Sequence, residues 1–231
     1  MKRAVRQRCR FGCVVCGLGV YDYEHIEPEF KDAKEHDPDR IALLCPSCHA
    51  KVTRGQWAKE KIKAALQSPK ATEAGYAKEF FDFTGHHPEV ILGGNTLRNC
   101  RVPIMVNGVP LISIKPPEDP GAPFELSANF SDRFGAPTLS IESNEWRVWS
   151  DNWDVEVKGP CINIVSRNRE SSLRLRALPP NAIAVERLEM SLGAYRFSCT
   201  PDRLVIYTQG GGTMDLSRSI MDGCAVGMNL G

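Results

Sequence analysis

The chain has 231 residues, 42% of them hydrophobic and 25% charged, with a net charge of +1. This is the balance of a globular chain able to bury a core, and it excludes collagen-like, low-complexity and highly charged disordered classes. The least polar stretch, 102–114, is broken by two prolines and a glycine and is too short to span a bilayer. No apolar run follows the basic opening MKRAVRQRCRF, so a soluble cytoplasmic protein with neither membrane span nor secretion signal is expected.

Charge is uneven along the chain. Residues 1–70 carry 14 Lys and Arg against 9 Asp and Glu, residues 71–90 carry 1 against 4, and the remainder 14 against 15. A basic front on an otherwise neutral chain suits a polyanionic partner, although a solvated basic face gives the same count. Five of the nine cysteines, Cys9, Cys13, Cys16, Cys45 and Cys48, fall in the first 48 residues of the sequence. An odd number in a chain without a secretion signal argues against a disulfide framework. The other four, Cys100, Cys161, Cys199 and Cys224, read as small buried side chains.

Cys13 and Cys16 form one C-x2-C pair, Cys45 and Cys48 another, with 28 residues between them. Each such turn aims two thiolates at one centre, and two turns complete the four-sulfur tetrahedron that suits Zn²⁺. A redox C-x-x-C is the competing reading, but no thioredoxin-like βαβ pattern surrounds either pair. Cys9, separated from Cys13 by three residues, a less usual spacing, is an alternative ligand. A closed four-sulfur site has no open position for chemistry, so reactive groups are sought beside it, in Glu24-His25 and in His49.

Further along, Thr53 with Gln56 predicts a capping box that starts a helix. Trp57, Ile62, Ala65 and Leu66 form its apolar stripe, Lys51, Arg54, Lys59, Lys61 and Lys63 lie on its ends and outer faces, and Pro69 closes it. Gly85-His86-His87-Pro88 and Gly93-Gly94-Asn95 read as linker. After them, short alternating segments at 110–114, 124–130, 138–142, 154–157, 162–165, 173–177 and 204–207 predict strands. Asn107-Gly108 predicts a two-residue hairpin turn. Trp146, Trp149 and Trp153 read as strand-end aromatics, with the neighbouring acids Glu142, Glu145, Asp151, Asp154 and Glu156 facing water.

The order C-x2-C, then Glu24-His25-Ile26-Glu27-Pro28, then Ile41-Ala-Leu-Leu-Cys45-Pro-Ser-Cys48-His49 and the basic stretch Lys51 to Gly55 resembles an HNH endonuclease over roughly residues 8–67. The resemblance implies a ββα-metal fold with a structural zinc on Cys13, Cys16, Cys45 and Cys48. It implies His25 as general base, and Glu24 and His49 as ligands of a catalytic divalent ion, Mg²⁺ or another. Arg8, Arg10, Arg40, Lys51 and Arg54 would contact the phosphates of a nucleic acid, DNA first. Phage defence, restriction and mobile elements are the settings it suggests. Two positions depart from the family pattern: Glu24 stands where Asp is usual, and Arg40 where the middle Asn usually sits. Asp37, Asp39 or His36 could orient the base instead.

The expected architecture is α+β: a zinc-stabilised HNH domain over 1–68, a helical linker over 69–95, and an antiparallel β-rich domain, sandwich or roll, over 96–231. The β-rich part would regulate, recognise the target or form a homo-oligomer. A catalytically inactive zinc-stabilised nucleic-acid-binding protein is the alternative, and a protein-interaction module a third.

Overall fold

The computed structural model describes residues 1–28, 30–83 and 86–231. They form two compact units, one of Met1–Glu79 with Arg147–Lys158, the other of Phe80–Trp146 with Gly159–Gly231. The architecture is α+β, with the helices in the first unit and strands throughout the second. Among the described residues, no helix is long and apolar enough to cross a membrane.

The first unit runs α1 (Lys2–Arg8), β1 (Asp22–His25), β2 (Ile41–Leu44), α2 (Pro46–Thr53), α3 (Lys59–Gln67), α4 (Lys70–Ala74) and β3 (Tyr76–Phe80). β1 and β2 pair antiparallel, with Asp22 opposite Leu44 and His25 opposite Ile41. All four residues of β2 are buried, as an uninterrupted apolar run requires. Val5, Val14, Ile26, Val52 and Ile62 pack with them, and Trp57, Ala65 and Leu66 lean on that core from its rim. Burying these side chains, at about 1.5–3 kcal/mol each, holds the hairpin against α2 and α3.

The helix boundaries differ from the capping-box expectation. Thr53 is the last residue of α2, and its hydroxyl donates to the His49 carbonyl at 3.1 Å. α2 starts at Pro46 behind Cys45, whose sulfur accepts from the Cys48 N–H at 3.4 Å. The chain then leaves the helix through Gly55, at φ +68°, and re-enters at Lys59 without a side-chain cap. Among the described residues between 69 and 95, helix is confined to α4; the rest of that span includes β3 and further strands.

Arg147–Lys158 joins the first unit through Arg6. This guanidinium is buried and donates to both carboxylate oxygens of Asp154, at 2.8 and 2.6 Å, and to Glu156 at 2.9 Å. Asp154 is itself 6% exposed, so it faces the interior, contrary to the expectation that the acids around the tryptophans face water; Glu145 is buried too. Removing one partner strands the other charge in the core. Arg6→Ala is expected to lower stability by about 3–5 kcal/mol, read as a fall in the thermal midpoint, whereas replacing exposed Arg10 shifts it little.

The second unit is all β. Its strands are β4 (Glu89–Leu92), β5 (Asn95–Arg98), β6 (Val102–Val106), β7 (Val109–Lys115), β8 (Glu125–Ser131) and β9 (Pro137–Glu142). After Glu145–Trp149 and Asp154–Lys158, counted as β10 and β11, come β12 (Cys161–Val165), β13 (Ser171–Leu178), β14 (Ala182–Leu192) and β15 (Tyr195–Thr200). β16 (Arg203–Thr208), β17 (Thr213–Leu216), β18 (Ile220–Asp222) and β19 (Val226–Leu230) complete it.

One sheet contains the order β19-β6-β7-β8-β9, the other β12-β13-β14-β15-β16-β17, with β4 also paired to β14, β5 to β4 and β18 to β5. Antiparallel pairing dominates, but β19 with β6, β4 with β14 and β18 with β5 are parallel. Burial alternates as period-2 segments should, with Leu126, Ala128 and Phe130 buried on β8 and Ile162 and Ile164 on β12. Asn107 and Gly108 make the expected turn, both at positive φ, between paired Val106 and Val109.

Gly93-Gly94-Asn95, read as linker, is instead the tight connection between β4 and β5. A Cβ on Gly93 would stand 2.5 Å from the Arg203 backbone, and buried Asn95 donates to the carbonyls of Leu92, Gly93 and Leu216. The chain turns there because another backbone passes within contact distance, a reason that local composition does not reveal. In the other linker segment, Gly85 lies outside the described residues, and His87 bonds the Pro88 carbonyl at 3.0 Å. Cys100 and Cys199 are buried as expected, whereas Cys161 and Cys224 are only half-buried.

Candidate active site

The four sulfurs of Cys13, Cys16, Cys45 and Cys48 lie within 4.8 Å of one another. Backbone geometry brings them together: Cys13 N donates to the Leu18 carbonyl and Val14 N to Leu43, which ties the first pair to the end of β2. Cys45 sits at the start of α2, and Cys48 in its first turn. The Cys16 sulfur is 3.6 Å from that of Cys45 and 3.9 Å from that of Cys48. Sulfurs on a tetrahedral zinc at about 2.3 Å are about 3.8 Å apart, so the donor set fits that ion. Cys9 stands outside the cluster.

Proton chemistry points the same way. The Cys16 thiol, bonded to the Cys13 sulfur, pulls Cys13 down to about 5, and the same contact pushes Cys16 up. Burial and the neighbouring sulfurs push Cys48 up to about 12. One thiolate therefore forms readily, and further ones are opposed until a cation offsets the charge. The cluster is a candidate structural zinc site.

Glu24 and His25 end β1, and His49 follows Cys48 on α2, its N–H bonded to the Cys45 carbonyl at 2.8 Å. The metal cluster thus fixes His49 through one peptide bond and through the helix start. The three residues line one cavity of about 770 Å³, together with His36, Lys2 and Lys59. Glu24 is largely buried; one carboxylate oxygen lies 2.8 Å from His49 Nε2 and the other accepts from Lys59 Nζ. Neighbouring ligands on an octahedral ion with bonds of about 2.1 Å are about 3 Å apart, so the 2.8 Å ion pair of Glu24 with His49 is also a separation that two ligands of one ion would have.

His25 Nε2 lies 3.1 Å from His36 Nδ1. Phe30 stacks on the His36 ring at 5.6 Å and meets His25 edge-on at 5.2 Å. Desolvation first, and then the proximity of His36 and Lys59, hold His25 below the ordinary histidine value, so its imidazole is neutral at pH 7 and able to take up a proton. Of the three groups offered as orienting partners, only His36 reaches it. Asp37 accepts from the Asp39 N–H and pairs with Arg40, and Asp39 pairs with Arg8.

The basic residues divide. Arg8 is engaged by Asp39 and by the Ile41 carbonyl. Arg40, exposed and 3.3 Å from Asp37, lines a second cavity with Glu27 and Lys63 rather than the one holding His25. Lys51 and Lys61 both lie over the Trp57 ring, at 4.6 and 3.5 Å, while Arg10 and Arg54 are exposed. Sequence reasoning missed Lys59 as a cavity residue, because an isolated lysine at a helix start carries no signal of its target.

The family model described as HNH endonuclease matches residues 13–55. No curated protein and no solved structure matches the chain. The matched segment opens at the first cluster cysteine, contains all four, and contains Glu24, His25, His36 and His49. Residues 13–55 thus resemble the HNH endonuclease family and carry a four-cysteine cluster.

Proposed function

We propose that the protein is a metal-dependent endonuclease that hydrolyses phosphodiester bonds of DNA, with His25 as general base. The observation that carries this reading is the convergence of Glu24, His25 and His49 on one cavity, with His36 on the ring of His25.

The zinc held by Cys13, Cys16, Cys45 and Cys48 is structural. Glu24 and His49 would hold a catalytic ion, Mg²⁺ or another divalent cation, which would supply Lewis-acid stabilisation of the charge that develops on the phosphate and the leaving oxygen. His25 donates its Nε2–H to His36 Nδ1, which fixes the tautomer and leaves Nδ1 free to accept a proton from water. The water oxygen then forms its bond to phosphorus as the bond to the leaving sugar oxygen breaks. Arg10, Lys51 and Arg54 contact the backbone and position the duplex without reading its sequence. Arg40 and Arg8 join them only by exchanging their carboxylate partners for phosphate.

Plasmid incubated with zinc-loaded protein and Mg²⁺, Mn²⁺ or Ni²⁺ tests this. Cutting is expected to require the added ion and to disappear in His49→Ala, with zinc content unchanged. DNA retained on the wild-type protein but not cut under any ion supports the inactive-binder alternative, which Arg40 at the usual Asn position favours.

A further inference from the structure

Lys59 reaches into the cavity from the first residue of α3. Its ammonium donates to the Glu24 carboxylate and to the His25 carbonyl, the latter at 2.6 Å. Both acceptors are hard oxygens of the kind a divalent cation takes. Among the described residues lining the cavity, Glu24 is the one carboxylate, set against Lys2, Lys31 and Lys59. Along the described lining, an ion entering from water therefore meets one carboxylate, already neutralised by Lys59, beside further lysines.

We infer that Lys59 is a resident cation of the active site, which competes with the divalent ion for Glu24 and yields it when a phosphodiester enters. An incoming phosphate supplies the negative charge the cavity lacks. It offers the ammonium an alternative anionic partner, so the ion loads together with the substrate rather than before it. This ordering limits ion uptake in the absence of nucleic acid. The inference rests on Glu24 and His49 being the ion's ligands.

Mn²⁺ binding to the zinc-loaded full chain, followed by the electron paramagnetic resonance of free Mn²⁺, tests it without reference to activity. Lys59→Met is expected to bind Mn²⁺ at least about tenfold more tightly than wild type in the absence of DNA. Lys59→Gln, uncharged but hydrophilic, moves the same way. Lys63→Met removes an equal charge from α3, where Lys63 pairs with Glu27 at 2.6 Å, and leaves the affinity unchanged.

A non-cleavable phosphorothioate duplex, its own Mn²⁺ uptake subtracted, tightens binding in the wild type far more than in Lys59→Met. Equal affinity in wild type and Lys59→Met overturns the inference, as does an equal gain in Lys63→Met. If Glu24→Gln abolishes binding while Lys59→Met changes nothing, the inference alone falls. If binding survives Glu24→Gln, the ligand assignment falls with it.

Discussion

Cys45→Ser is expected to release the zinc and unfold the first unit. Cys45 is ligand, helix cap and core residue together: its sulfur belongs to the cluster, accepts the Cys48 N–H, and is 2% exposed. Structural zinc in small domains is linked to about 10–16 kcal/mol of apparent binding free energy. That is as large as the roughly 5–15 kcal/mol by which whole domains are stable. Loss of one ligand therefore removes most of what keeps the β1–β2 hairpin against α2. Zinc content by atomic spectroscopy is expected to fall from one per chain to near zero, with a lower unfolding transition. Cys199→Ser, far from the cluster in sequence and buried in the β-rich unit, is expected to leave zinc content unaltered. Full zinc occupancy in Cys45→Ser would contradict the assignment.

What could be read from the sequence was what short spacings determine. Two C-x2-C pairs announce their convergence, because each is one turn of chain, and Glu24-His25 and Cys48-His49 inherit their places from neighbours one residue away. Alternating segments such as 162–165 announce strands for the same reason, and Asn107-Gly108 its hairpin. Contacts made at a distance were not legible. Lys59 meets Glu24 across 35 residues and Arg6 meets Asp154 across 148, and nothing local marks either pairing.

The assignment of Arg147–Lys158 to the first unit follows from that second contact and escaped the sequence for that reason. Thr53 misled because its spacing to Gln56 satisfies a capping box, while the sulfur of Cys45 had already started the helix eight residues earlier. His36 is one of three groups the sequence offers to orient the base, and its spacing does not single it out. It contacts His25 because the 3₁₀ turn Phe30–Asp32 brings Phe30 against both rings.

His25→Ala is expected to slow cleavage by about 10²–10⁴-fold, the usual contribution of a positioned general base. The substitution removes the proton acceptor but none of the cluster cysteines, neither Glu24 nor His49, and none of the proposed phosphate contacts. Binding and metal content should therefore stay where they are while the rate falls. His36→Ala, which leaves the base but frees its ring, is expected to lose less.

The direct measurement is single-turnover cleavage of a labelled duplex in Mg²⁺ or Mn²⁺, with duplex affinity and zinc content determined on the same samples of wild type and His25→Ala. A rate lower by at least about a hundredfold at unchanged affinity and zinc content is the expected result. Equal rates in the two proteins would contradict the account.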